Sequence, residues 1–337
     1  MSELNPLFLD AFPGAAALLR EGRVAAANAM ARHYLPQLVP GEPIPSFLPP
    51  EGEADNREGL FSTGAADYSF RITRTEAGDW LFFQPAPQSA ITDSQLNGAL
   101  GQLRQFMGEF LLHTRDDSPA FRKSYYRMFR LVNNMELLAG DRESARRPSA
   151  PLDLAGLCRA LVREAAPLLA EAGVELCYEE DCLSLLIPGD PDLLRQLVLE
   201  LTANAAKAAP GGQVTLRLRR QQSRAVLTLT HSGGLASPRQ LAALLQQDTD
   251  EALPMPGAGA GLGMSAARRI VRLHGGTLLA EWGDGAPAIV LSLPCGPLDP
   301  RLSVESPRLQ TDGGLHPTLV ALADLLPARV FEDVELD

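Results

Sequence analysis

Two blocks of a seven-residue repeat constrain this chain more than any other feature. Leu96, Leu100, Leu103, Met107 and Phe110 recur at spacings of 4, 3, 4 and 3, and Phe121, Tyr125, Met128, Val132 and Met135 repeat the same spacings. That rhythm lines apolar side chains along one side of a helix. Asp116-Asp117-Ser118-Pro119 separates the blocks; Ser118 can cap the second helix, with Pro119 at its first position. The pattern predicts an antiparallel helical hairpin over 92–140. Two helices leave part of each seam uncovered, and a second copy would complete a four-helix bundle. A homodimer is therefore expected; the alternative is a hairpin packed against its own flanking domains.

Composition bounds the rest. A chain of 337 residues has room for two or three domains, at roughly 100–200 residues each. Its 45% hydrophobic and 21% charged content is that of a globular protein and excludes disorder throughout or a collagen-like repeat. A net charge of −11 lacks the basic face of a duplex binder, so no nucleic acid is expected as partner. Cys158, Cys177, Cys182 and Cys295 form no C-x-x-C pair and read as reduced thiols rather than a zinc site or disulfide framework. No apolar run approaches the roughly 18 residues needed to span a bilayer. Met1-Ser2-Glu3-Leu4-Asn5 has no basic region of the secretory kind. Membrane insertion is thus not expected, and the cytoplasm is the expected compartment.

Residues 1–88 read as a small mixed domain. An apolar stretch from Ala15 to Leu19 leads to the turn Glu21-Gly22-Arg23, then to Val24, Ala25 and Ala26 and a helix ending at Tyr34. Prolines 40, 43, 45, 49 and 50 forbid regular structure there. Alternation at Tyr68, Phe70 and Ile72, and at Trp80 and Phe82, predicts two strands around the turn Ala77-Gly78-Asp79. Residues 151–296 read as an α/β sandwich. Its predicted helices are Leu152 to Ala170, Pro191 to Ala209, Pro238 to Gln247 and Leu262 to His274. Its predicted strands lie near 174–178, 184–187, 214–218, 225–229, 277–282 and 288–293. Residues 297–337 form an acidic extension with one helix predicted from Pro317 to Leu326.

Two motifs carry chemistry. Glu200, Asn204 and Lys207 lie at i, i+4 and i+7 of one predicted helix and share a face. Asn204 can offer a carbonyl oxygen to Mg²⁺, and Lys207 can neutralise phosphate. An ordinary solvated helix face is the plainer alternative. Gly257-Ala258-Gly259-Ala260-Gly261-Leu262-Gly263-Met264 follows a loop and opens a helix, where backbone N–H groups can approach phosphate oxygens. It is neither a Walker loop nor a dinucleotide fingerprint, and alone it could be a Gly/Ala hinge.

The order of these parts is more specific than either. Asn204, two alternating strands, the glycine loop, the helix ending in His274-Gly275-Gly276 and the strand Ile289–Leu293 follow one another. This resembles the ATP-binding domain of sensor histidine kinases and of the wider gyrase/Hsp90/kinase ATPase superfamily. The preceding hairpin resembles their dimerisation and phosphoacceptor domain, with Arg130-Leu131-Val132-Asn133-Asn134-Met135 like the end of its second helix. Residues 1–88 look like a reduced PAS sensor domain. The resemblance implies a multidomain α+β protein: a PAS-like domain, a hairpin forming a dimeric four-helix bundle, and a two-layer α/β sandwich of the Bergerat type. It also implies ATP and Mg²⁺ as cofactors, held by Asn204, Lys207, His231, Gly233, Gly259, Gly261, Leu262 and Gly263. Glu200 takes the place of the superfamily's general base.

The departures shape the functional expectation. Where the family carries its phosphoacceptor pattern His-Glu-x-Arg-x-Pro, this chain has Gly101-Gln102-Leu103-Arg104-Gln105-Phe106. Gly101 has no nucleophile. His113, just before the interhelical turn, is the other acceptor candidate. The family's Asp-x-Gly-x-Gly is His231-Ser232-Gly233-Gly234-Leu235, so an imidazole stands where a carboxylate accepts from adenine. Such a lost charge-assisted bond is worth about 1.5–3 kcal/mol. Asp248, Asp250 and Glu251 give the lid an acidic character, repulsive to a triphosphate. His33 reads as a solvated helical histidine rather than a haem ligand. The expectation is a degenerate kinase that dimerises and binds a response regulator or a partner kinase. The alternative is an active ATP-dependent kinase or ATPase acting on a histidine of a partner chain.

Overall fold

In the computed structural model, residues 12–45, 47–48, 56–63, 66–86, 118–139, 150–232, 262–283, 286–295 and 315–332 are described, with Leu9, Ala99, Leu103 and Phe106 as single positions. Gly101, His113, Gly233, Gly259, Gly261 and the acidic lid lie outside the described residues.

The N-terminal strands are β1 (Ala15–Arg20), β2 (Arg23–Ala27), β3 (Asn56–Ser62), β4 (Asp67–Thr75) and β5 (Gly78–Pro85). They pair antiparallel in the order β2-β1-β5-β4-β3. Helix α1 (Ala29–Tyr34) is capped by Asn28, which is buried and fully used. Its Oδ1 accepts from the N–H groups of Ala31 and Ala16, and its Nδ2 donates to the carbonyls of Gly14 and Leu9. The strand over Trp80 and Phe82 turns Leu81 and Phe83 into the aromatic core, with Phe61, Tyr68 and Phe70. Trp80 and Phe82 stack on the opposite face beside Leu18. His33 is exposed on α1. Strand β3 has no alternating apolar pattern, Asn-Arg-Glu-Gly-Leu-Phe-Ser, and sequence reasoning passed over it.

The second half supplies α2 (Pro119–Ala139), β6 (Ala150–Asp153), α3 (Leu154–Glu171), β7 (Glu175–Glu180), β8 (Leu186–Gly189), α4 (Pro191–Ala208), β9 (Gln213–Gln221) and β10 (Arg224–His231). Then follow α5 (Leu262–Leu273), β11 (Thr277–Gly283), β12 (Ala286–Pro294) and α6 (Pro317–Leu322), with a short 3₁₀ turn at Ala328–Phe331. The sheet runs β11-β12-β10-β9-β7, antiparallel except for β7 beside β9. Alternation along these strands puts Leu216, Leu218, Leu227, Leu229, Leu278, Leu291 and Leu293 into one core with the apolar faces of α3, α4 and α5. That is a two-layer α/β sandwich.

The two halves share one sheet. β3 pairs with β11, Gly59 opposite Leu279, and ten of the twelve described strands run continuously from β2 to β7, while β6 and β8 pair separately. Gly59 permits the junction, since a Cβ there would sit 2.5 Å from the Leu278 carbonyl oxygen and 2.6 Å from the Leu279 Cα. Leu279 and Val290 complete the N-terminal aromatic core from the far face of the sheet.

Helix α2 presents Met128, Leu131, Met135 and Leu138 to Ala99, Leu103 and Phe106 of the first heptad block and to Leu262 of α5. A second side of α2 bears Tyr126, Arg130 and Asn134, all buried. Among the described residues no helix is long and apolar enough to cross a membrane.

Candidate functional site

Helix α4 positions the polar trio. Asp190 caps it by accepting from the N–H groups of Asp192 and Leu193, and Pro191 fixes the first turn. Leu194, Leu197, Val198 and Leu201 bury one side, which sets the azimuth of Glu200, Asn204 and Lys207. His274, at the end of α5, locks the same end: its Nε2 accepts from the Asp190 N–H at 3.1 Å, and its Nδ1 lies 2.8 Å from the Ile270 carbonyl. The only tautomer serving both bonds carries the proton on Nδ1.

Glu200 is almost wholly buried, with 2% of its side chain exposed, and Arg130 of α2 meets it as a fork. Nε to Oε1 is 3.0 Å and Nη2 to Oε2 is 2.6 Å. Asn134, one turn further along α2, donates to Oε1 at 3.3 Å, and Gln196 donates to Asn134 at 2.9 Å. The remaining Arg130 nitrogen, Nη1, reaches Asp324 Oδ2 at 2.6 Å. Lys207 reaches the same oxygen at 3.1 Å, and Arg127 donates to Asp324 Oδ1 at 2.9 Å. Asp324 lies just past α6, in the C-terminal extension.

The electrostatics follow from this arrangement. Burial alone would raise the Asp324 pKa, but Lys207, Arg130 and the Arg127 hydrogen bond hold its carboxyl well below the usual range. Burial likewise works against the Arg130 charge, and the facing Glu200 and Asp324 carboxylates override it, raising its pKa. For Lys207 desolvation wins, aided by repulsion from Arg130 and only partly offset by Asp324, so its pKa is lowered. Asp324 and Arg130 are thereby held charged at neutral pH.

The other motif residues fall into distinct roles. Asn204 is half-buried on the α4 face and makes no side-chain hydrogen bond among the described residues. Leu262 is buried in the apolar contact between α5 and the hairpin. Gly263 lies under the ion pair: a Cβ would come within 2.5 Å of Glu200 Oε2 and 3.4 Å of Arg130 Nη2. His231 is buried at the end of β10, its backbone paired with Val214 of β9. A cavity of about 210 Å³ opens beside Glu200, between α2, α4 and the C-terminal segment. Phe129, Asn133, Gln196 and Leu315 line it, and neither Asn204 nor Lys207 does.

Mg²⁺ and ATP fit this set in part. Asn204, half-buried and without a side-chain hydrogen bond among the described residues, would offer its carbonyl oxygen to the metal, and Lys207 would meet phosphate once released from Asp324. Glu200 is engaged by Arg130 rather than open to water. Sequence reasoning missed Arg127, Arg130, Asn134 and Asp324 as site residues. Two signals were present: Arg127, Arg130 and Asn134 form a polar stripe at i, i+3 and i+7 beside the heptad seam, and Asp324 is a lone charge in Val320-Ala321-Leu322-Ala323-Asp324-Leu325-Leu326.

Comparison with known proteins bears on the same region. Residues 189–297 match the family of histidine kinase-, DNA gyrase B-, and HSP90-like ATPases. The circadian input-output histidine kinase CikA of Synechococcus elongatus is 32% identical over 126 residues, 35% of this chain and 17% of that protein. The adaptive-response sensory kinase SasA of a Synechococcus strain is 28% identical over 156 residues, 45% of this chain and 41% of that protein. The sensor protein kinase PmrB of Pseudomonas aeruginosa is 27% identical over 158 residues, 46% of this chain and 33% of that protein. The chain thus spans less than half the length of these relatives. Among solved structures, a mycobacterial sensor histidine kinase MprB aligns with a TM-score of 0.38 at 25% identity, covering 44% of this chain and 99% of that one. From helix α4 to strand β12, this chain carries an ATPase domain of the histidine kinase type.

Proposed function

We propose that this chain is a sensor histidine kinase-like protein of two-component signalling that has lost phosphorylation at the usual position and works through dimerisation and partner binding. The proposed parts are a PAS-like sensor domain over 1–88, a dimerisation hairpin over 92–140, the ATPase domain over 151–296 and an acidic extension over 297–337. The partners are a second copy of the chain and a response regulator or another kinase.

One observation carries this reading: the residue that would act as general base is already neutralised. A carboxylate can take a proton from water only if it reaches that water. Both oxygens of Glu200 are held by Arg130, and Asn134 takes a further lone pair. Gly101 in place of the phosphoacceptor and His231 in place of the adenine-binding carboxylate support the same conclusion. An active ATPase or a kinase acting on a partner's histidine needs the clamp to open first.

The test is calorimetric titration of the full chain with ATP, with and without Mg²⁺, beside an assay for acid-labile phosphohistidine. Weak binding, near or above about 100 µM, without phosphohistidine is expected, given the roughly 1.5–3 kcal/mol lost at His231. Phosphohistidine in this chain, or turnover abolished by Glu200→Ala, refutes the proposal. Sedimentation of the purified chain tests the dimer.

A further inference from the structure

Asp324 is the meeting point of three cations drawn from two helices far apart in the sequence. Arg127 and Arg130 come from α2 and Lys207 from α4. Counting Glu200, the cluster holds three cations and two carboxylates; without Asp324 it would hold three cations and one carboxylate. Arginine forks match phosphoryl oxygens in bidentate geometry, and a lysine ammonium adds a mobile point charge. A carboxylate that accepts from two guanidinium groups and an ammonium occupies the position a phosphoryl group would take.

We propose that Arg127, Arg130 and Lys207 form a phosphoryl-anion site whose resident ligand is the Asp324 carboxylate, and that the oligophosphate of a nucleotide competes with it. This rests on the nucleotide-binding reading above and extends it to two arginines and a carboxylate outside the matched ATPase domain.

The frame around Asp324 stands without it. Leu322, Leu326 and Phe331 are buried in the main core. Thr318 Oγ1 donates to Glu164 of α3 at 2.9 Å, and Arg329 pairs with Glu171 at 2.9 Å. Arg122 of α2 donates to the carbonyls of Phe331 and Glu332. Competition therefore takes place at a side chain within a standing scaffold. Asp324→Ala vacates the carboxylate's place and keeps the scaffold.

The experiment uses the full chain as wild type, Asp324→Ala and Asp324→Asn. Each is melted in chloride and in inorganic tripolyphosphate at matched ionic strength, then titrated with MgATP. A ligand binding only the folded chain raises Tm by mass action. At about one hundred times its Kd, the gain is worth roughly 4 °C in a protein of this size. The alanine variant should melt below wild type in chloride and gain that shift in tripolyphosphate, while wild type gains little. MgATP should bind it about tenfold more tightly than wild type, because the competing carboxylate is gone. The asparagine variant keeps the shape, should show the same contrast at smaller amplitude, and serves if the alanine variant does not fold. Equal tripolyphosphate shifts in wild type and variants overturn the site. Equal MgATP affinity in all three overturns it as well and leaves nucleotide binding standing. Rescue by tripolyphosphate with no MgATP binding upholds the anion site and refutes the nucleotide reading. No response of any kind overturns both.

Discussion

Arg130→Met is the sharpest test of how the site is built. Arg130 and Glu200 have 10% and 2% of their side chains exposed, so removing either leaves the other largely buried. The substitution leaves Glu200 with the single 3.3 Å bond from Asn134 and takes one of three cations from Asp324. Breaking a buried ion pair from one side costs about 3–5 kcal/mol, because the remaining charge stays buried. Replacing both partners by apolar groups of similar volume is close to neutral. Glu200→Met on its own should therefore cost several kcal/mol. The double variant should recover much of the loss, with a coupling of about 2–3 kcal/mol. Urea unfolding followed by circular dichroism measures this, provided the m-value is unchanged. If Arg130→Met costs less than about 1 kcal/mol, or the two losses simply add, the clamp is not a buried, mutually dependent pair and the argument against Glu200 as a free base fails.

Three further outcomes are expected. Gly263→Ala places a Cβ 2.5 Å from Glu200 Oε2 and should destabilise the chain by about 1–3 kcal/mol, seen as a lower Tm with no change in far-UV dichroism. Gly59→Ala drives a Cβ into the Leu278 carbonyl and should open the β3–β11 seam, read as faster hydrogen exchange at Leu278 to Ala280 with β9 and β10 still protected. Burial pushes the His274 pKa below its ordinary 6.5, so below that pH the unfolded chain binds more protons than the folded one. Its contribution is complete above pH 6.5 and falls away as the pH drops, and His274→Asn should flatten that part of a stability–pH curve measured between pH 7 and 5.

Legibility in the sequence followed local pattern. The helix of the polar trio was readable because Pro191 gives a start and Leu193, Leu197 and Leu201 give a period, although the structure buries Leu194 in place of Leu193. Strands β4, β9 and β10 were readable from alternation. β3 was not, because its pairing depends on Gly59 and on β11, more than 200 residues away. The site was readable in its α4 residues and obscure in their partners. Asn204 and Lys207 form a motif, whereas the Arg130 and Asp324 that meet the trio lie 70 residues before Glu200 and 117 residues after Lys207. A short motif names residue types; whether those groups are free to act is decided by long-range packing, for which the sequence offers only weak signals. A polar stripe on a heptad helix and a lone aspartate in an apolar segment were such signals, each with an ordinary surface explanation.

Phosphoryl transfer needs the reacting atoms brought to about 3–3.5 Å and held there. In this chain helix α2 is fixed to α4 by the Arg130–Glu200 fork, to α5 by Leu131 and Leu138 against Leu262, and to the C-terminal segment by Arg127 and Arg122. Opening the fork unpairs two largely buried charges, so the open form is populated only at some small fraction. Any ligand that works through the open form sees its apparent affinity fall by that factor, unless it supplies charges of its own to replace those it separates. An oligophosphate can do so, because it brings negative charge to the three cations that Asp324 and Glu200 now balance. A polyanion is thus the class of ligand best able to open this site, and the same bonds that make the clamp stable make it selective for charge.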